Sequence, residues 1–427
     1  MPLTKLERHA LAIFKAALAA VEPKAATARS LKKLKLPLEN FDRVFLVAAG
    51  KAAAGMAMAA EKFLGNRLTA GIALTKYGHA TDGLRRTKIL EAAHPVPDAA
   101  GFEASQEIEQ LLRSLNSRDL LLTAISGGAS ALLSAPAPGV SLRDKQRATD
   151  LLLRAGADIF ELNVVRKHLS RLKGGQMAAL AYPATVVNLV LSDVIGDPID
   201  VIGSGPTAPD TSTFQDACDV LTKYGLMQRV PASVRSRLLA GVGETPKPSD
   251  PIFANVRNIV TASNRQALAA AAARAQLLGY KPLILSSVMQ GEAREVARAH
   301  AAILRDAAPG SCILSGGETT VTVKGKGKGG RNQEFALALA LDIDGVANVA
   351  ALCAGTDGTD GPTDAAGAFV TGRTIGKARQ AGLNAREFLG ENNAYEFFRG
   401  VGGLLVTGPT GTNVMDISVM LTGLNLY

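Results

Sequence analysis

The chain contains no tryptophan, and aromatic residues make up only 4% of its 427 positions. Proteins that hold single-stranded nucleic acid combine a basic groove with aromatic platforms on which bases stack. Here the formal net charge of +9 comes from basic residues scattered among acidic ones, apart from the run KGKGKGGR at 324–331. Nucleic acid is therefore not expected as a partner, and a small anionic substrate fits the excess better, part of which is ordinary surface charge. Cysteine is also scarce. Cys218, Cys312 and Cys353 are odd in number and far apart, and two of them lie in apolar, strand-like runs, so they read as reduced core thiols. No run long enough to span a bilayer is free of glycine, proline or charge. The first residues, MPLTKLERHALAIFKAALAAVEP, read as an amphipathic helix with charges at Lys5, Glu7, Arg8 and Lys15, not as a signal peptide. The expectation is a soluble, cytoplasmic protein with no membrane partner.

What is present is apolar: at 47% hydrophobic residues the chain can bury large cores, and its length favours two or three domains. Strand-length runs (RVFLVAAG, TAGIALTK, DLLLTAIS, ATVVNLVLSD, then KPLILSS, SCILSGG, TVTVK, NVAALCAG) alternate with Ala/Leu-rich helical patterns. Continuous apolar strands separated by helices predict parallel sheets covered on both faces. The segment GVGETPKPSDP at 241–251 breaks the rhythm with three prolines and two glycines, which places a boundary between domains at 1–245 and 252–427. The fold class is α/β, in two three-layer domains.

In open α/β sheets ligands bind beyond the carboxyl ends of strands, where glycine admits close backbone approach and helix N-termini attract anions. The first such end is VFLVAAGKAAAG. Its Lys51 stands at a helix start, where a cation gains nothing from helix electrostatics, so it is either a surface lysine or a partner for a bound anion. The loop Ser126-Gly127-Gly128-Ala129-Ser130 exposes successive N–H groups, as in a phosphate cradle or in a tight structural turn. Downstream, LNVVRKHLSRLKGGQ carries Asn163, Arg166, Lys167, Arg171 and Lys173. Most of these read as a solvated helix face, while Lys173 with the glycines that follow would also suit a phosphate or carboxylate.

Carboxylates occur at strand tips as well. Asp193 ends ATVVNLVLSD, and Asp357 lies in AGTDGTDGPTDAAG after an apolar run; a strand-tip carboxylate beside an anion loop is a common way to hold magnesium. Asp197, Asp200 and Asp210, farther into their loop, read as turn caps. In the second half, SGGETTVTVKGKGKGGRNQE offers Gly316, Gly317 and Glu318, a lysine-rich glycine loop, and Arg331 at a helix start. Gly325, Gly327 and Gly330 match G-x-G-x-x-G, but Lys326 and Lys328 crowd the positions where a pyrophosphate should meet bare backbone. The loop reads instead as a flexible lid that neutralises phosphoryl oxygens, with Arg331 as a fixed fork, or as a solvated hairpin. Together these are the parts of a magnesium-dependent phosphoryl-transfer site. G-x-x-x-x-G-K-[ST] is absent, as are the protein-kinase H-R-D and D-F-G signatures.

The segments GKAAAGM, ISGGASALL, LNVVRKHLSRLKGGQ, LSDVIGDPIDVIGSGPTAPD, LSGGETTVTVKGKGKGGRNQE, CAGTDGTDGPTDAAGAFV and VTGPTGTNVMDI resemble the class II glycerate kinase family, whose C-terminal half carries the MOFRL region, here about residues 310–425. The resemblance implies that the first domain is Rossmann-like and that the site lies in an interdomain cleft. It implies ATP as co-substrate, Mg2+ or another divalent cation, and phosphorylation of D-glycerate at its 2-hydroxyl. The family's catalytic lysine and arginine fall on Lys51 and Arg331. Nucleotide or substrate binding is expected at Ser126, Gly127, Gly128, Ser130, Lys173, Gly316, Gly317, Glu318 and Asn413, and metal at Asp193 and Asp357, the metal pair being inferred from position. Met415 stands where the family pattern leads one to expect a polar residue. A homodimer is compatible with this reading. The rival activity is an NAD(P)H-dependent hydroxypyruvate reductase, which needs a true dinucleotide site; a non-catalytic metabolite-binding protein would have little use for paired aspartates.

Overall fold

A computed structural model describes residues 3–424 of the chain. Two six-stranded sheets organise it. The first contains β1 (Arg43–Ala49), β2 (Leu68–Lys76), β3 (Thr87–Ala92), β4 (Asp119–Ile125), β5 (Thr185–Leu191) and β6 (Val256–Ala262), in the order β3-β2-β1-β4-β5-β6. The second contains β7 (Lys281–Met289), β8 (Ser311–Gly317), β9 (Val349–Gly355), β10 (Gly367–Thr371), β11 (Leu404–Leu405) and β12 (Asp416–Thr422), in the order β11-β10-β9-β12-β8-β7.

Every residue of β4, β9 and β12 is buried, whichever way its side chain points, so both faces of these strands are covered. In the first sheet β1 pairs in parallel with β2 and β4, β2 with β3, and β4 with β5, as continuous apolar runs predict. The second sheet departs from that expectation. Only β7 and β8 pair in parallel; β12 runs antiparallel between β8 and β9, and β10 runs antiparallel to β9. An antiparallel strand starts where its neighbours stop, so Asp416, first in β12, lies opposite Gly317 and Gly355 at their carboxyl ends. The expected strand TVTVK does not form. Only Thr320 makes a bridge, to Glu292, and the Glu292 carboxylate then accepts both the N–H (3.1 Å) and the hydroxyl (2.9 Å) of Thr322.

The chain divides into two units, one made of Pro23–Ser192 and Asp197–Thr261, the other of Met1–Glu22, Asp193–Gly196 and Ala262–Tyr427. The segment at 241–251 lies inside the first-sheet unit and not at its edge. Asp210 draws it in, donating its N–H to Pro246 O (2.9 Å) and accepting the Thr245 hydroxyl (3.0 Å). The N-terminal amphipathic helix forms as Lys5–Ala20, with Thr4 and Glu7 in a reciprocal capping box. It belongs to the second-sheet unit, where it packs on the helix Asn264–Leu277 and His9 Nδ1 meets the Tyr280 hydroxyl at 2.8 Å. All three cysteines are free and buried, as expected. Among the described residues, no helix is long and apolar enough to cross a membrane.

Candidate active site

The order of the first sheet reverses between β1 and β4, the position at which doubly wound sheets leave a crevice for ligands. The two loops that leave these strands are stitched together there. Lys51 donates its N–H to Gly127 O (2.8 Å), and Ser126 Oγ accepts the Ala52 N–H (3.1 Å). Gly50, at φ +126°, has no room for a side chain, because a Cβ would lie 2.2 Å from Ser126 Oγ. Its glycine thus serves loop crossing and leaves no gap for a pyrophosphate. Gly128, at φ +87°, opens onto the half-buried Lys51 and onto His94; a Cβ would sit 3.1 Å from a side-chain carbon of each. Burial, with Lys51 and Lys76 nearby, pulls His94 down to about 4, so it is a neutral imidazole at physiological pH.

The neighbouring polar groups are less open. Ser130 Oγ shares a 2.7 Å hydrogen bond with Ser204 Oγ, which donates to Asn163 Oδ1 (2.8 Å). Lys173 is 1% exposed and donates to the carbonyl of Leu133. Desolvation, reinforced by Lys145 and Arg166, pulls its pKa far down. Lys167 and Asp210 form a buried ion pair (3.2 Å), so that part of the basic helix is structural.

In the second-sheet unit the helix Arg331–Asp342 begins at Gly330, which has no side chain to cap it. Asp360 does so from the aspartate-rich loop, accepting the N–H groups of Asn332 (3.0 Å) and Gln333 (2.8 Å) while 2% exposed. Arg331 then turns to the strand ends. Its Nε and Nη2 donate to Asp416 Oδ2 (2.7 Å) and Oδ1 (3.1 Å), and its Nη1 donates to Glu318 Oε1 (2.5 Å). Asn332 Nδ2 also donates to Asp416 Oδ1 (2.9 Å). Burial pushes the Asp416 carboxyl up to about 6 against the pull of Arg331. Burial likewise works against the charge of Arg331, and its two carboxylates more than offset it. A guanidinium has five N–H donors; three are used in these contacts, which leaves two for a ligand.

The other anticipated residues of this unit have local duties. Gly316 and Gly317 end β8 instead of forming an open loop. A Cβ on Gly316 would lie 2.0 Å from Asn264 Oδ1, and one on Gly317 2.2 Å from Met289 O. Asn413 Oδ1 accepts the Met415 N–H (2.9 Å). Met415 sits at φ +70°, a left-handed conformation that asparagine and glycine tolerate better, which gives a backbone reason for expecting a polar residue there. Asp357 Oδ1 accepts the Thr359 N–H (3.0 Å) in a tight turn, and exposed Asp364 accepts the Tyr395 hydroxyl (2.8 Å).

The glycine-lysine loop is not a free lid. Asn392 Oδ1 accepts the N–H groups of Lys324 (2.8 Å) and Gly325 (3.0 Å), Gly327 donates to Glu391 O (2.9 Å), and Lys328 donates to Asn393 Oδ1 (3.0 Å). A Cβ on Gly325 would lie 2.2 Å from Glu391 O, so its glycines admit a backbone crossing and not a dinucleotide.

Asp193 follows β5 and is grouped with the second-sheet unit, as is Asp357. No cluster of three or more His, Cys, Asp or Glu forms a metal cage among the described residues. Magnesium needs none, since it is held by one or two carboxylates together with water and phosphate oxygens. The hard oxygen donors of Asp193 and Asp357 suit it.

Sequence reasoning placed Asp416 in the family pattern but gave it no role, and it missed Asp360, His94 and Lys145. Asp416 carries a signal, being a charged residue at the head of the apolar run DISVMLT. Lys145 carries one too, since it occupies the apolar stripe of its helix with buried Ala148 and Leu152. Asp360 and His94 depend on contacts far apart in sequence.

Two family models match separate stretches of the chain. Residues 9–239 match a domain of unknown function, DUF4147, and residues 311–416 match the MOFRL family. A Thermotoga maritima protein named D-glycerate 2-kinase is 42% identical across 97% of this chain and 98% of its own length. An Agrobacterium vitis protein with a provisional hydroxypyruvate reductase name is also 42% identical, over 96% of this chain and 93% of its own. The crystal structure of glycerate kinase from Thermotoga maritima superposes with a TM-score of 0.91, covering 98% of this chain and 99% of that one, at 42% identity.

Proposed function

Since this chain belongs to the class II glycerate 2-kinase family, we propose that it transfers the γ-phosphoryl group of ATP to the 2-hydroxyl of D-glycerate, giving 2-phosphoglycerate and ADP. The observation that carries this reading is end-to-end likeness to a protein named for that activity, in sequence and in fold. In the transfer the 2-hydroxyl oxygen forms a bond to Pγ as the bond from Pγ to the ADP oxygen breaks, and the hydroxyl proton leaves. Little covalent help is required, so the protein's contribution is alignment and charge neutralisation.

Lys51 and Arg331 are the catalytic cations. Arg331 is held by Asp416 and Glu318, so its two remaining N–H groups have a fixed direction in which to meet phosphoryl or carboxylate oxygens. Lys51 reaches past Gly128, where no side chain intervenes and the neighbouring His94 adds no charge. Ser126, Gly127, Gly128, Ser130, Lys173, Gly316, Gly317, Glu318 and Asn413 are assigned to nucleotide or substrate binding. Asp193 and Asp357 are the carboxylates assigned to a divalent cation, which would offset phosphate charge when bound.

The reductase reading finds no support in the glycine loop, whose backbone is occupied by the 391–393 turn. A coupled assay of ADP release with ATP, magnesium and D-glycerate tests the proposal, run beside NADH and NADPH oxidation with hydroxypyruvate. ADP release dependent on glycerate supports the kinase. Nucleotide oxidation without ADP release would replace it with the reductase.

A further inference from the structure

Beside the end of β4 lies a cavity of about 1000 Å³, at the upper end of the range, roughly 300–1000 Å³, that encloses drug-sized ligands and far more than a three-carbon acid fills. Gly128, Ser130 and His94 line its near side, which joins it to the loops at the β1–β4 reversal. Lys145, Arg166 and Lys173 line it as well.

Among the described residues, these three basic side chains lack carboxylate partners. Lys145 is 6% exposed, and its Nζ meets no carboxylate or carbonyl among the described residues, only the neighbouring Lys173 amine. Lys173, more buried still, has a backbone carbonyl and the Lys145 amine as its partners, and no carboxylate. Arg166 makes no ion pair among the described residues, although the next residue on its helix, Lys167, is paired with Asp210. The nearby acids are committed elsewhere: Asp144 accepts the Ser233 hydroxyl (2.7 Å), Asp150 pairs with Arg154 (2.9 Å), and Glu109 pairs with Arg171 (3.1 Å). Burial, together with Arg166 and Arg171, pulls Lys145 down to about 7. Buried charges without partners are costly, and a fold that pairs one lysine while leaving two beside a cavity has left room for an anion from outside. Val96 and Leu153 line the same cavity with 62% and 55% of their surfaces exposed, so its lining offers accessible apolar surface as well as Arg143 and Arg147.

We propose that this cavity is the nucleotide site, in which Lys145, Arg166 and Lys173 receive the polyphosphate and the wall containing Val96 and Leu153 receives the base. The assignment rests on the kinase reading for its ligand, and on the basic side chains without carboxylate partners and the size of the cavity for its place. A flat heteroaromatic base suits an apolar wall, while a phosphate chain suits several cations.

Calorimetry with MgADP, and separately with D-glycerate, on the full-length protein and on Lys145→Met, Lys173→Met and Arg166→Gln tests it. MgADP affinity is expected to fall at least tenfold in each variant, with KM for ATP rising in step, while glycerate affinity stays within twofold of wild type. Lys145→Met removes a buried amine that has no carboxylate partner, at nearly constant volume, so it should melt no lower than wild type. Half-buried Arg166 provides an independent variant should a lysine substitution disturb folding. Unchanged MgADP affinity in all three variants overturns the site, as does loss of glycerate binding with MgADP binding intact, which would make the cavity the acid site. Binding is read without turnover. Wild-type protein that binds MgADP here but never phosphorylates glycerate would sink the kinase reading alone, and a working kinase with unaltered MgADP affinity in the variants would sink the site alone.

Discussion

Asp416 receives Arg331 at two points, 2.7 Å from Nε and 3.1 Å from Nη2, because β12 runs opposite to β8 and β9 and so begins where they end. A side chain at the first residue of a fully buried strand is fixed by the ladder on both sides, which makes this carboxylate a rigid seat for the guanidinium.

Asp416 lies within reach of titration, since burial raises it to about 6. Below that pH it takes up a proton and gives up its charge on Arg331. The kcat/KM of the wild type is therefore expected to fall on the acid side of about pH 6. Asp416→Asn should be slower at pH 8 and lack that particular limb. An unchanged acid limb in the variant would remove Asp416 as its source.

Lys51→Ala and Arg331→Ala are expected to lower kcat by roughly 10²–10³-fold or more, the scale on which loss of one transition-state donor is felt, about 2.7–4 kcal/mol. Circular dichroism and melting should stay close to wild type. Near wild-type kcat in either variant would take that residue out of the mechanism.

The aspartate-rich loop separates a structural acid from a surface one. Asp360→Ala leaves the Asn332 and Gln333 N–H groups without their cap and should cost about 1–2 kcal/mol, read as a lower denaturation midpoint. Asp364→Ala removes an exposed contact to Tyr395 and should leave the midpoint nearly unmoved. Equal effects would contradict the division.

Gly327→Ala should destabilise the protein, because its Cβ would lie 2.3 Å from Asn393 Cβ and 2.5 Å from Glu391 O. Gly376→Ala is the control. It sits in the helix Thr374–Gln380 with nothing within 4 Å, and it should stabilise by roughly 0.5–1 kcal/mol. A tolerated Gly327→Ala would restore the loop as a free lid.

Lys51 stood out in the sequence because it follows a strand and a glycine just before a helix, and Arg331 because it follows glycines at a helix start, relations contained within one short segment. Asp416, Asp360 and His94 did not, because their duties come from chain crossings: an antiparallel strand inserted last, a loop capping a helix that precedes it, a histidine folded over a distant glycine. The same non-locality misled the reading of TVTVK, whose alternation suits a strand but whose hydrogen bonds go to Glu292. It also misled the reading of the glycines at 325 and 327, which are small because backbone passes over them.

Phosphorus NMR of the products formed from ATP, magnesium and D-glycerate tests phosphoryl transfer most directly. Signal from 2-phosphoglycerate should grow in step with ADP in the wild type and be lacking with Arg331→Ala. A phosphate on the 3-hydroxyl, or ATP left intact beside glycerate, would contradict the assignment.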